Sequence, residues 1–262
     1  ADGRLTRRPG VVMVSRGPGA TNASIAVHTA QQDAIALILV VGQVPKKDLR
    51  REAFQEIDYR AMYGTIAKWV FEATDPAQLP EIAYKAVRMA TSGTPGPVVI
   101  ALPEDVQQPL VEPVTWRARA HDGLRASPQG LDRVRALLTD AQRPLIIAGG
   151  AFDVPGGREA LLAFAEAWHV PVSVAFRRHD VFPNSHPLFV GDLGLANPAQ
   201  QLERFHRSDL ILALGTRLDD VTSQNYTFPT LPQPAQPLVH CYPDPRVVGL
   251  HFCGPWWPCS RR

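Results

Sequence analysis

Ser15-Arg16-Gly17-Pro18-Gly19-Ala20-Thr21-Asn22 is the stretch on which the fold turns. It follows an apolar, β-branched run, Val11 to Val14, that reads as a buried strand. A helix-like segment follows and ends near Asp33. A second buried-strand run, Ile35 to Val41, then leads into Gly42-Gln43-Val44-Pro45. Strand, glycine turn, helix and strand make a βαβ unit. Its glycines stand at the strand carboxyl ends, where parallel sheets hold ligands. Gly17 and Gly19 allow close backbone approach to a bound group, and Pro18 stiffens the turn. The same residues also suit a tight turn that holds nothing.

Working outward, Asp75-Pro76, Ser127-Pro128 and Asn197-Pro198 each set a capping side chain before a proline at a first helical position. Gln78 stands at the capping-box position after Asp75. Leu79, Ile82, Ala83, Ala86, Val87 and Ala90 then form one apolar helix face, which stops at Ser92-Gly93. Pro97 to Leu102 reads as a buried strand. A polar, proline- and arginine-rich stretch at 106–127 reads as a linker. Beyond it the α/β rhythm resumes. Strands are expected at Pro144–Ala148, Pro171–Phe176, Asp209–Leu214 and Pro237–Tyr242, with helices marked by Leu131 to Leu138 and Leu161 to Trp168. The fold class is therefore α/β, as two parallel-sheet, three-layer domains. The expected division is 1–105, linker 106–127, 128–252, and an atypical tail at 253–262. The first domain is expected to begin upstream of Ala1.

Composition excludes several classes. The 262 residues are 45% hydrophobic and 20% charged, enough apolar material for a real core. Net charge is +2, with no basic block interleaved with aromatics, so nucleic acid is not expected as a partner. No apolar run approaches the ~20 residues of a membrane span. Cys241, Cys253 and Cys259 form no Cys-x-x-Cys pair, which suits a reducing cytoplasm and gives no metal-ligand spacing.

Gly17 to Asn22, Gly42-Gln43-Val44-Pro45, Ala53-Phe54-Gln55-Glu56, Ala90 to Val98 and Leu102 to Val106, in that order, resemble the thiamine-diphosphate enzymes of the acetolactate synthase type. The resemblance runs from about Val11 to Gly249. It implies part of a pyrimidine-binding domain followed by a Rossmann-like central domain. It implies that Gly17, Pro18, Gly19 and Asn22 face thiamine diphosphate across a homodimer or tetramer interface, with Gln43 at the next strand end. Phe54 and Gln55 are implied in the channel for a 2-oxo acid or aldehyde. His28, on the following helix, is a weaker candidate, with a surface role as its alternative. Gly149, Gly150 and Arg217 resemble central-domain landmarks that could cradle a nucleotide diphosphate, or serve turn geometry alone.

The departures matter. Thr94 stands where these synthases carry an arginine that helps bind FAD, and Glu104 where they carry a site lysine. Threonine cannot replace a guanidinium fork. Glu104 inverts local charge and disfavours anionic 2-oxo acids unless other cations compensate. These changes point to a relative without FAD, acting on a different carbonyl compound, and the resemblance leaves FAD open. The family's activating glutamate falls before Ser15, outside this sequence. Its Gly-Asp-Gly motif for Mg²⁺ is absent; Gly191-Asp192-Leu193-Gly194 does not match it. The 262 residues are thus expected to be inactive alone. A non-catalytic nucleotide-binding or scaffold module is the competing reading.

Overall fold

The computed structural model describes residues 2–6, 8–115 and 125–252. Residues 116–124 of the expected linker, and the expected tail at 253–262, lie outside the described residues. The chain divides into two compact units, 1–120 and 121–262.

The first unit opens with a short helix, α1 (Asp2–Thr6), and then strand β1 (Gly10–Val14). Helix α2 (Gly17–Gln32) and strand β2 (Leu37–Gln43) complete the expected βαβ. Then come α3 (Tyr59–Tyr63), β3 (Trp69–Glu72), α4 (Leu79–Thr91), β4 (Pro97–Pro103) and α5 (Glu104–Gln107). The four strands are parallel, in the order β1-β2-β4-β3. In β2 and β4 alternate residues are buried on opposite faces. Ile38, Val98 and Ile100 pack with Ile82, Ala86 and Ala90 of α4. Leu39, Val41, Val99 and Ala101 pack with Ala20, Val27, Tyr59 and Tyr63. Near-continuous apolar strands arise because both faces are covered.

The second unit comprises α6 (Pro128–Asp140), β5 (Pro144–Ala148), α7 (Gly157–Trp168), β6 (Val172–Val174), β7 (Phe189–Asp192), α8 (Ala199–His206), β8 (Leu210–Leu214) and β9 (Leu238–Cys241). Its five parallel strands run β7-β6-β5-β8-β9. Ile146, Val172 and Leu212 meet Leu161 and Ala165 of α7 on one face. Ile147, Ile211 and Leu238 meet Phe205 of α8 with Leu218 and Phe228 on the other. Both units are three-layer α/β structures.

Some expectations change. β1 is not buried. Among the described residues it is an edge strand paired with β2 alone, and Val11 and Met13 are 64% and 72% exposed. Its β-branched composition marks a strand, but composition does not say what covers it. The glycine turn is also shorter than expected. Only Ser15 and Arg16 lie between β1 and α2, so Gly17 to Asn22 are the opening turns of the helix. Asp33 does stop that helix, its N–H donating to the Thr29 carbonyl at 2.9 Å. Two of the proline caps hold: Asp75 accepts from the N–H of Ala77 at 2.9 Å, and Ser127 from that of Gly130 at 3.1 Å. Asn197 instead turns back to the preceding loop, accepting from the N–H of Gly194 and donating to the Asp192 carbonyl. Val87 on α4 is exposed rather than part of the buried face.

One buried polar group in the second sheet stands out. His240 on β9 lies inside the core, and Nε2 meets the Thr216 carbonyl at 2.9 Å. A carbonyl only accepts, so Nε2 carries the proton, and Nδ1 is bare, buried and without a hydrogen-bond partner among the described residues. Burial pushes this imidazole below its ordinary value, against the opposing pull of the Thr216 hydrogen bond. The unfolded chain therefore takes up a proton below about pH 6.5 that the folded chain refuses, and stability falls as pH falls through that range. The variant His240→Gln is expected to show a smaller loss of thermal stability than the parent between about pH 7.5 and 5.5. Equal losses in calorimetry would show that this histidine does not contribute.

Candidate functional site

In the first unit the ends of β1, β2 and β4 converge on one edge of the sheet, where parallel α/β sheets present chemistry. The loop at 50–57 crosses this edge. The N–H of Gly17 donates to the Gln55 carbonyl at 3.1 Å. A Cβ built on Gly17 would lie 3.0 Å from that carbonyl oxygen and 3.1 Å from Cδ1 of Ile57. On Gly19 it would lie 2.8 Å from Oγ of Ser15. The two glycines thus permit close packing of helix, strand and loop, and the space they leave is taken by the chain's own atoms. Pro18 and Asn22 lie exposed on α2 beyond them.

The loop itself is shaped from within. Arg50, Glu52 and Gln55 hold left-handed backbone, at φ 61°, 58° and 64°. Such conformations cost about 1–3 kcal/mol each and persist where surroundings impose them. Here Glu56 accepts from the N–H groups of Arg50 (2.5 Å) and Ala53 (3.3 Å). The result sets Phe54 79% exposed, with Gln55 exposed beside it. Phe54 is not a core aromatic in this structure.

Gln43, by contrast, is only 1% exposed. Its Nε2 donates to the Ile57 carbonyl at 3.0 Å and to Glu72 at 3.3 Å, and its Oε1 accepts from the N–H of Val44. It ties the end of β2 to the loop and to β3. His28 is not brought to this edge. It lies on the exposed side of α2, eleven residues and roughly 16 Å along the axis from Gly17.

The sequence reading missed Arg16, Tyr59 and Tyr63. Arg16 donates to the Phe54 carbonyl at 3.3 Å and forms an ion pair with Glu104. Arg16 is thus the compensating cation on which the effect of Glu104 was expected to depend. The signal was present in Arg16, inside the first stretch quoted, but the partner lies 88 positions away. Tyr59 donates to the Gly42 carbonyl at 3.0 Å, and Tyr63 to that of Ala20, so both hydroxyls hold main chain at the edge. Burial first, then Tyr63, pushes Tyr59 up to about 12, so its proton stays in place at neutral pH.

Ser15, Pro18, Asn22, Phe54 and Gln55 are exposed and uncharged, and Arg50, Arg51 and Glu52 of the crossing loop are exposed beside them. Arg16 and Lys46, at two strand ends, are paired with Glu104 and with Asp105 and the Thr74 carbonyl. No cluster of metal-ligating side chains occurs among the described residues.

In the second unit, Gly149, Gly150 and Arg217 do meet at one strand-end corner. A Cβ on Gly149 would lie 2.4 Å from the Gly215 oxygen and from Cα of Thr216. One on Gly150 would lie 2.7 Å from the Arg178 guanidinium. Arg178 in turn lies 3.8 Å from buried Asp153, which also pairs with Arg158. Arg217 reaches Asp219 at 3.8 Å. The space a side chain would take at either glycine is filled by the chain's own groups.

Comparison with known proteins agrees with the two-unit division. Residues 1–62 match the thiamine pyrophosphate enzyme N-terminal TPP binding domain, and residues 131–253 match the thiamine pyrophosphate enzyme central domain. The chain belongs to the thiamine pyrophosphate enzyme family. Among its relatives is the probable acetolactate synthase large subunit of Methanocaldococcus jannaschii, 33% identical over 95% of this chain and 43% of that protein. The acetolactate synthase large subunit of Corynebacterium glutamicum is 32% identical over 94% and 40%. The acetolactate synthase isozyme 3 large subunit of Escherichia coli is 34% identical over 86% and 41%. The chain spans about two fifths of the length of these relatives. Within the thiamine pyrophosphate enzyme N-terminal domain, the edge just described is the candidate cofactor-facing surface.

Removing the Gln43 amide leaves buried main-chain groups unpaired, which costs about 1–3 kcal/mol. Gln43→Ala is expected to lower the urea midpoint accordingly. Phe54→Ala, at an exposed position, is expected to shift stability by less than about 0.5 kcal/mol. The reverse order in denaturation would overturn these assignments.

Proposed function

We propose that this chain supplies the pyrimidine-facing wall and the central domain of a thiamine-diphosphate-dependent carboligase or decarboxylase of the acetolactate synthase type. The observation that carries this reading is the meeting of Ser15–Gly19, Gln43 and the 53–57 loop at one strand-end edge of the unit. The chemistry supplied by bound thiamine diphosphate is loss of carbon dioxide from a 2-oxo acid and joining of the remainder to a second carbonyl compound. Pro18 and Asn22 present an uncharged surface to the pyrimidine side. Phe54 and Gln55 face the carbonyl substrate and, with the loop, exclude water. Arg16 holds the loop in place through the Phe54 carbonyl and balances Glu104, so an anionic 2-oxo acid meets no uncompensated negative charge there.

Mg²⁺ belongs with the diphosphate and is expected to be held by groups outside these 262 residues, through oxygen donors. The reading is FAD-free. Arg178 occupies the Gly150 corner, and Thr94 offers no fork of donors. The protein is placed in the cytoplasm, which suits cysteines without paired spacing. Its unit of assembly is a homodimer or tetramer, with neither membrane nor nucleic acid as partner. Apolar exposure on β1, together with Ile25 at 78% exposed on α2, supports such association.

Three measurements test the reading. The 262-residue chain, given thiamine diphosphate and Mg²⁺, is expected to release no carbon dioxide from 2-oxo acids such as pyruvate. Turnover would refute its dependence on further groups. Purified protein is expected to lack visible flavin absorbance, and a flavin spectrum would overturn the FAD-free reading. In sedimentation, dimers or larger species are expected; a monodisperse monomer would count against self-association.

A further inference from the structure

The second unit carries an open cavity of about 800 Å³ at the end of its sheet opposite the Gly149–Gly150 corner. It lies where β5, β7 and β8 begin, against α8. The five residues of β5 separate the two ends by roughly 13 Å. The volume falls inside the roughly 300–1,000 Å³ range of small-molecule sites.

Its lining has two distinct parts. Leu145, Phe189, Val190 and Phe205 supply an apolar floor. Arg143, Arg204 and Arg207 supply the charged groups, with His169 beside them, and no carboxylate lines the cavity. Arg143 donates from Nε to the Arg207 carbonyl at 2.8 Å, which fixes its guanidinium at the rim. Asp209, next to this rim, has both carboxylate oxygens taken by main chain: Oδ2 accepts from Gln142 N–H and Oδ1 from Arg143 N–H, each at 2.8 Å. Burial alone would raise that carboxyl, yet these donors hold it below the usual range, so it stays an anion committed to the backbone. Arg207 pairs with Glu203 at 2.5 Å, but both are largely exposed, and such a surface pair is weak and screened by salt. Arg204 has no ion-pair partner among the described residues.

Guanidinium forks gathered over an apolar floor match a ligand with phosphate oxygens at one end and a flat apolar body at the other. We propose that this cavity is a binding site for an organic phosphate of about nucleotide size, separate from the strand-end edge that carries the family's landmarks. The proposal does not rest on the thiamine reading, because every group it uses lies between Gln142 and Ser208.

The test is calorimetric titration of the 262-residue chain with ADP, inorganic pyrophosphate and adenosine. ADP is expected to bind saturably, more tightly than either pyrophosphate or adenosine, and to weaken as salt rises. Arg204→Glu, an exposed change on α8, is expected to weaken ADP by about tenfold or more. Circular dichroism of this variant checks that it folds. Arg217→Ala, at the opposite end of the sheet, is expected to leave ADP affinity unchanged. Absence of saturable ADP binding would overturn the site. So would binding that survives Arg204→Glu and disappears in Arg217→Ala, since that result places the ligand at the glycine corner. Pyrophosphate binding as tightly as ADP would overturn the role of the apolar floor, leaving a simple anion patch.

Discussion

The first unit depends on a close contact that the absence of a side chain at Gly17 favours. At Gly17 the helix start comes so close to the 55–57 loop that a Cβ would press on the Gln55 oxygen and on Ile57. That approach lets the Gly17 N–H bond the Gln55 carbonyl, which in turn sets the loop across the strand ends. Arg16, Gln43, Glu56 and Tyr59 then hold the same corner from different elements. The left-handed backbone of Arg50, Glu52 and Gln55 is the cost of that placement. Its consequence is that Phe54 and Gln55 stand clear of the core, available to something outside it.

The second unit uses the same physical device for a different outcome. Gly149 lets two strand-end loops touch main chain to main chain, and Gly150 makes room for Arg178 above buried Asp153. Glycines at the carboxyl ends of parallel strands are commonly read as ligand cradles. Here their missing side chains are accounted for by internal packing and an ion-pair cluster. The cationic cavity lies instead at the amino ends of the strands, where no glycine pattern would direct attention.

Much of the architecture was legible in the chain. Runs such as Leu37 to Val41, Val98 to Ala101 and Leu145 to Ala148 are apolar throughout because both faces of each sheet are covered. Two of the three proline caps could be read locally, since a cap and the N–H that donates to it lie within three residues. β3 and β7 were not legible. Each is four residues long and only half-buried, so neither shows a continuous apolar run nor a clean alternation. β1 was legible as a strand but not as an edge, because edge position depends on what packs beside it. At the site, Gly17, Pro18, Gly19, Asn22, Phe54 and Gln55 could be named from motif order. The burial of Gln43 and the remoteness of His28 could not.

What the sequence determined by itself was the alternation of elements, the parallel character of both sheets and the family to which they belong. These follow from local periodicity, short-range turn chemistry and the order of several motifs, all of which are written along the chain. What the tertiary structure decided was which polar groups are spent and which remain to act. Arg16 meets Glu104, Gln43 meets Ile57 and Glu72, Arg178 meets Gly150, and Arg143 and Arg204 share a cavity. Most of these pairs lie far apart in sequence, and only chain folding brings charge and hydrogen-bond partners within the few ångströms at which they can act on each other.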